Sequence, residues 1–380
     1  MMNCCTETES RTIDCIRPLL AFMVVGLHVR PYYADGTELF FNGWYDAAII
    51  VIYRILFSVA VPAFFFISGF LFFSKLKDWD NSIWKDKIRK RIKTLLIPYI
   101  IWNLIAILGF IVTRFAGTLI KGNEPLDLIT QLNERGWLRL FWDRRLFGSI
   151  IPDSINLFGI SVPGGTPVNE PTWFIRDLMV VIAFSPMIWW FVKKGGKYFI
   201  AVIACFYIVD LWIPLTGFSS KAFFMFSLGA WFSLTSHNLI ETASQHPRIQ
   251  AILALILLFA ASMSFGYNKW IYCITSRLFI LVAILTVFHS VSEWIKRDRF
   301  YNTAYNLSKS SFFVFVAHTV LIVDALSWAF SLINRPGNPF VSFLLLSIET
   351  ITVYVICHLI WLTLKRFTPR TLGVLTGKNH

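Results

Sequence analysis

Ile16-Arg17-Pro18-Leu19-Leu20-Ala21-Phe22-Met23-Val24-Val25-Gly26-Leu27-His28-Val29 is an apolar run broken only by an arginine near one end and a histidine near the other. It reads as a membrane helix carrying two ionisable groups. Such groups are costly in a bilayer and mark a functional pathway. A step of eleven residues along an α-helix returns to nearly the same face, roughly 16 Å further along the axis. Arg17 and His28 therefore reach one interior pathway from different depths.

The rest of the chain has the same character. Of its 380 residues, 56% are hydrophobic, with 37 Phe and 15 Trp, and only 15% are charged, against about a quarter in soluble domains. Apolar runs are expected to span a membrane at about 13–29, 48–73, 95–118, 173–192, 198–216, 220–236, 249–266, 270–291, 308–333 and 340–364. That pattern excludes a string of soluble domains and predicts an all-α membrane protein: one polytopic bundle of about ten transmembrane helices over residues 1–380. The first ten residues are polar and slightly acidic, unlike a cleavable signal peptide. No internal repeat is visible.

The net charge of +13 would suggest nucleic-acid binding in a soluble protein. Here the basic residues cluster between spans, so they report orientation, and no nucleic-acid partner is expected. Connections 74–94, 193–197, 237–248 and 292–307 and the tail from 365 hold most of the loop Lys and Arg. The short loops on the other side carry only Arg30, Lys269 and Arg335. Both termini are therefore expected in the cytoplasm. One long extracytoplasmic loop, about 119–172, carries Arg135, Arg139, Arg144 and Arg145 against this bias, which long loops obey weakly. It closes on the irregular Pro163-Gly164-Gly165-Thr166-Pro167, and loops of that length often act as lids or binding segments.

Before the third span, Trp84, Ile88, Ile92 and Leu95 recur at helical spacing among Lys85, Lys87, Arg89, Lys90, Arg91 and Lys93. This predicts an amphipathic helix on the cytoplasmic membrane surface over about 82–94, capped by Asp80-Asn81-Ser82, with Pro98 at the start of the next span. Cys205, Cys273 and Cys357 read as small buried hydrophobes. Cys4-Cys5 has no neighbouring ligands, and no metal site is predicted.

Several residues carry potential chemistry. A neutral His28 can take a proton from a hydroxyl and return it to a leaving group; the alternative is a packing histidine bonded to a neighbouring helix. Arg17 cannot deprotonate and needs a carboxylate, phosphate or water, and Asp14 one turn earlier offers a partner for snorkelling. Ser68-Gly69, within the second span, suits close helix approach better than nucleophilic catalysis. His318 lies in the ninth span, while His289 and His358 read as interfacial. Arg176 and Asp177 are adjacent, so separate partners are expected. With Asp210, Lys221, Arg277 and Asp324, these intruders predict a polar cavity. No P-loop, G-x-S-x-G or H-E-x-x-H motif occurs.

Four stretches, in order, resemble the acyltransferase-3 family of bacterial membrane acyltransferases. Arg17 and His28, with ten residues between them, resemble its opening signature. Pro62 to Phe70 resembles a Pro-x-Phe-Phe-x-Ile-Ser-Gly motif. Arg89-Lys90-Arg91-Ile92-Lys93 followed by Leu95-Leu96-Ile97-Pro98-Tyr99 resembles its basic stretch and Pro-Tyr start, and Ser310 to His318 a late Ser…His segment. Thr172-Trp173-Phe174-Ile175-Arg176 fits a branch with Trp-Phe at this point. Two departures stand out. Pro18 follows Arg17, which suggests a helix starting there with Arg17 at its cap. Arg176-Asp177 replaces the Glu-Glu of another branch, so the chain resembles the shorter branch without a fused extracytoplasmic domain.

The resemblance implies a multi-pass enzyme of the bacterial cytoplasmic (inner) membrane. It would move an acetyl or succinyl group from cytoplasmic acyl-CoA, acetyl-CoA foremost, to a hydroxyl of a cell-surface polysaccharide or lipid-linked glycan precursor. His28 carries over as catalytic with Arg17 supporting it. Arg89 and Arg91 carry over as ligands for the donor phosphates. Asp14, Ser68, Arg176, Asp177 and His318 are further cavity candidates. The competing expectation is a transporter of a sugar, lipid or proton using the same intramembrane polar groups, although the inverted repeats common in transporters are not visible.

Overall fold

A computed structural model describes residues 5–31, 43–74, 76, 78–121, 140–142, 155–157, 160–162, 165–213, 215–235, 237–296, 301–333 and 338–378. Cys4, the loop arginines Arg135, Arg139, Arg144 and Arg145, and Pro163-Gly164 lie outside them.

Helix α1 (Glu7–His28) starts at a capping box. The Thr6 hydroxyl accepts from the Glu9 N–H at 3.2 Å, and the Glu9 carboxylate accepts from the Thr6 N–H at 2.8 Å. The other Glu9 oxygen accepts from the Leu239 N–H at 2.9 Å, which accounts for a buried carboxylate there. A helix start at Pro18 is thereby corrected: the cap lies further upstream, and Pro18 sits buried inside α1, where neighbouring packing offsets its lost hydrogen bond.

Helix α2 (Trp44–Phe73) is continuous but irregular. A π-helical stretch (Ile49–Leu56) and a 3-10 turn (Phe57–Val59) precede Pro62, whose missing N–H breaks the regular ladder. Asp80 caps α3 (Asn81–Arg91), accepting from the Ser82 N–H at 2.7 Å. That bond holds its carboxyl below the usual range. A π turn (Ile92–Leu96) joins α3 to α4 (Ile97–Lys121) just ahead of Pro98. The wider turn shifts the apolar face. Trp84 and Ile88 pack on the core and Leu95 is buried, but Ile92 is 45% exposed, so the predicted stripe breaks at that residue.

Two short strands, β1 (Ile155–Leu157) and β2 (Ile160–Val162), pair antiparallel with Asn156 opposite Ser161. They are the one exception to a helical fold among the described residues. Two described parts of the long connection, one near its middle and one at its close, do not stay outside the bundle. Leu140, Pro167, Asn169, Pro171 and Thr172 are buried. The Val168 N–H donates to Leu140 O at 2.9 Å, and the Tyr99 hydroxyl, two residues into α4, donates to Phe141 O. The segment expected as an external loop therefore re-enters beside α4.

A 3-10 turn (Glu170–Thr172) leads into α5 (Trp173–Ala183), which meets α6 (Ser185–Ile208) at a bend of 63°. Gly196 breaks α6 with φ 48° and ψ −130°. Phe191 and Phe199 stack with centroids 5.1 Å apart, where a straight helix would set them roughly 12 Å apart. The chain thus doubles back at Gly196, among Lys193, Lys194 and Lys197, where the charges predict a turn.

Helix α7 (Ser220–Leu234) crosses α2 closely. A Cβ on Gly69 would lie 2.1 Å from Phe226 O, and one on Gly229 2.1 Å from Phe66 O. Ser68-Gly69 thus stands at a helix crossing, as small residues do within membranes. There follow α8 (Leu239–Ala243), α9 (Pro247–Ser264), α10 (Lys269–Ile295), α11 (Tyr301–Ser308), α12 (Ser311–Ala317), a π turn (His318–Ile322), α13 (Val323–Ser331), α14 (Pro339–Phe367) and α15 (Pro369–Thr376). Helix α1 is central, touching α2, α10, α11, α12 and α14.

Among the described residues, six helices are long and apolar enough to cross a membrane, or seven if α5 and α6 form one bent span. The shortfall from about ten has local causes. Arg11, Asp14 and Arg17 dilute α1, α7 has only 15 residues, and Gly196 divides α6.

Candidate active site

His28 ends α1, and His318 opens the break between α12 and α13. Inside that break Val320 has ψ 87° and Leu321 has φ 66°, a left-handed conformation rare for a branched side chain. Non-helical backbone at membrane depth is tolerated where it is covered by protein or lines a cavity, and this one lines a cavity. A space of about 460 Å³ is bounded by His28, Arg30, Arg54, Glu170, Thr319, Leu321 and Asp324, among others. Arg30, Arg54, Leu321 and Asp324 are exposed, so the cavity opens at the bundle surface.

The two imidazoles meet edge to face, with centroids 4.9 Å apart and planes at 70°. Each is fixed by a carbonyl one turn back: His28 Nδ1 lies 2.8 Å from Val24 O, and His318 Nδ1 lies 3.0 Å from Val314 O. A carbonyl only accepts, so each Nδ1 carries a hydrogen, and in a neutral ring Nε2 is the basic nitrogen. His318 is wholly buried and its Nε2 has no hydrogen-bond partner. An unsatisfied buried nitrogen costs stability, and such groups often mark function.

A polar lattice holds the break in place. The Asn169 amide donates to Val316 O at 2.9 Å, and its oxygen accepts from the Thr319 hydroxyl at 2.8 Å. The Asn169 N–H donates to Asn103 Oδ1 at 3.1 Å, and Thr172 donates to Asn169 O at 2.7 Å. Asn103, Asn169 and Thr172 are all buried, so the re-entrant segment, α4 and the turn after His318 are locked together.

The other end of the expected pathway is different. Arg17 pairs with Asp14 at 2.7 Å, as the one-turn spacing predicts. Arg91 lies close enough to Arg17 for the two cations to repel, whereas Arg89 is exposed and pairs loosely with Asp86 at 3.5 Å. Ser68 is half-buried on α2 and is not among the residues lining the cavity.

Separate partners for Arg176 and Asp177 are also corrected. Arg176 Nε and Nη2 reach Asp177 Oδ1 at 3.0 and 2.9 Å, while Nη1 donates to Trp142 O at 2.7 Å and Gly165 O at 2.9 Å. A long guanidinium can fold back on its neighbour, and Asp177 keeps partners of its own in the Ser219 hydroxyl and the nearby Lys221 cation. Arg176 thus ties Trp142, near the middle of the long connection, to Gly165 near its close. His358 lies on α14 with Nδ1 2.9 Å from the Ser310 hydroxyl. His289 pairs with Ser244 at 2.9 Å.

Sequence reasoning passed over Arg54, Glu170, Thr319, Asn103 and Asn169. Arg54 was findable, since it interrupts the second apolar run as Arg17 does the first. Asn169 sits in irregular chain and gives no local signal.

A family model described as an acyltransferase domain matches residues 11–361. The chain belongs to the acyltransferase-3 family. It is accordingly an O-acyltransferase enzyme and a multi-pass integral membrane protein, and its reaction requires an acyl donor. Across 379 residues it is 27% identical to the succinoglycan biosynthesis protein ExoH of Rhizobium meliloti (strain 1021), covering 97% of this chain and 92% of that protein. No solved structure matches the chain. Within this acyltransferase-3 protein, the matched region includes Arg17, His28, the α2–α7 crossing, α3 and the break at His318.

Proposed function

We propose that this protein transfers an acetyl or succinyl group from cytoplasmic acyl-CoA to a hydroxyl of a cell-surface polysaccharide or lipid-linked glycan precursor, in the bacterial inner membrane. One observation carries the reading: His28 borders an open polar cavity, with its Nδ1 held by Val24 O and its ring packed edge to face on His318. An acceptor hydroxyl in that cavity gives its proton to Nε2 while its oxygen attacks the thioester carbonyl. The tetrahedral intermediate expels the thiolate, which takes the proton back from the imidazolium to leave the ester and free CoA. Arg30, Arg54, Glu170 and Asp324 mix both signs of charge around the cavity, which suits a hydroxyl-rich acceptor held by hydrogen bonds.

Arg17 and Arg91, with Arg89 at the periphery, hold the donor phosphates in this reading. The pantetheine arm bridges the roughly 16 Å of α1 between Arg17 and His28. We further propose ten crossings with both termini cytoplasmic; the reversal at Gly196, among three lysines, supports that count. The relative's printed name, a succinoglycan biosynthesis protein, supports a polysaccharide acceptor.

His28→Ala is expected to lower acyl incorporation by at least about 10²-fold, the usual worth of a positioned base, while the protein still accumulates in the membrane. Glycan mass in cells carrying the variant is the measurement. Normal acylation of the glycan would overturn the assignment.

A further inference from the structure

The segment after α14 is built into the protein. Helix α15 packs on α4, α12 and α14, with Leu372 and Thr376 buried. Trp102 Nε1 donates to Leu375 O at 2.9 Å. Gly377 then takes φ +64° directly against the π turn between α3 and α4: a Cβ there would lie 2.5 Å from Thr94 Cα and 2.7 Å from Lys93 O. Only glycine fits that contact, and it delivers the next residue, Lys378, to the Arg17 end of α1.

Three cations from three distant segments converge there. Arg17 interacts repulsively with both Arg91 and Lys378, and Asp14 is the acidic group that attracts Arg17 and Lys378. The Arg17 and Asp14 side chains are 33% and 21% exposed, and Lys378 is exposed, so an anion can reach the cluster. The Thr94 hydroxyl, in the turn that Gly377 touches, is buried without a hydrogen-bond partner. Three like charges with a single carboxylate, which acts on Arg17 and Lys378, leave an excess of positive charge that an anion would offset.

We propose that Lys378, placed by α15 and Gly377, completes with Arg17 and Arg91 a phosphate-binding site that grips the nucleotide end of the thioester donor. This rests on the acyl-CoA reading above and adds a ligand to it. A phosphate group on a membrane lipid shares the same chemistry, so the test separates the two sources.

The full-length protein is placed in nanodiscs of zwitterionic lipid and titrated calorimetrically with CoA and, separately, with pantetheine, which lacks the nucleotide phosphates. For Lys378→Gln, the expected result is a Kd for CoA weakened about tenfold, the cost of one charge-assisted contact, an unchanged Kd for pantetheine and an unchanged melting temperature. Lys378→Arg should restore CoA binding. Unchanged CoA binding in Lys378→Gln, or equal loss for both ligands, overturns the role of Lys378. A wild-type protein that binds CoA no better than pantetheine overturns the donor reading itself. An effect of the substitution seen only when anionic phospholipid is present assigns the cations to lipid and overturns the proposal.

Discussion

The two ends of α1 solve opposite problems. At the His28 end, neutral groups are held by short, directional contacts: two imidazoles each tethered to a carbonyl one turn back, and an asparagine lattice gripping the break between α12 and α13. At the Arg17 end, one direct ion pair, Arg17 with Asp14, is joined by further cations that act through charge. One end depends on geometry, where a misplacement of about 1 Å can cost 10²-fold. The other depends on long-range charge, where each group contributes a modest share and salt screens it.

His318 tests the geometric end hardest. Its buried Nε2 lacks a partner, so replacing the ring with a hydrocarbon of similar size should remove a desolvation cost of about 1–3 kcal/mol. If the second imidazole supports proton movement at His28, His318→Leu should lower acyl transfer by about 10²-fold while the melting temperature holds or rises. Loss of activity with gained stability is the signature of a functional polar group. Wild-type turnover in that variant would reduce the site to a single histidine.

Asn169 probes the support beneath it. Asn169→Ala leaves the Val316 carbonyl and the Thr319 hydroxyl without their amide partner. The expected cost is about 2–4 kcal/mol of stability for one buried carbonyl and one half-buried hydroxyl, with turnover down about tenfold as the turn at His318 loosens. Thermal denaturation in detergent and acyl transfer at saturating donor measure the two effects. A variant that melts earlier yet turns over normally would detach the lattice from catalysis.

These two ends also differed in how readily the sequence disclosed them. Arg17, Asp14 and His28 lie on one helix, so the 3.6-residue period alone relates them, and the Arg17–Asp14 pair follows from spacing. The turn at Gly196 was legible from three lysines flanking two glycines. The His28–His318 contact joins residues nearly 300 positions apart, and periodicity cannot report which helices become neighbours. Asn169 and Asn103 owe their roles to a re-entrant segment, which hydropathy reads as an ordinary outside loop. Pro18 misled because a proline signals a helix start only when no stronger cap precedes it, and Thr6-x-x-Glu9 does. The pairing of Arg176 with Asp177 shows the limit of the neighbour rule: helical side chains at i and i+1 diverge at Cβ, yet a guanidinium is long enough to return.

The smallest effects belong to the charged end, and they separate two arginines that look equivalent in sequence. Arg91 is half-buried and lies near Arg17; Arg89 points into water against Asp86. A partly desolvated cation interacts more strongly with a phosphate than an exposed one, because water and salt screen the latter. Arg91→Ala should raise the KM for acyl-CoA about five- to tenfold at low salt, and Arg89→Ala about twofold or less, in line with exposed ion pairs worth under about 1 kcal/mol. Raising the ionic strength from about 0.05 to 0.5 M shortens the screening length severalfold and should narrow the gap between the two variants. The His318→Leu defect should not move with salt. Equal KM changes for Arg91 and Arg89 at both salt concentrations would show that the donor meets the whole face of α3, and that Arg17 does not select its position.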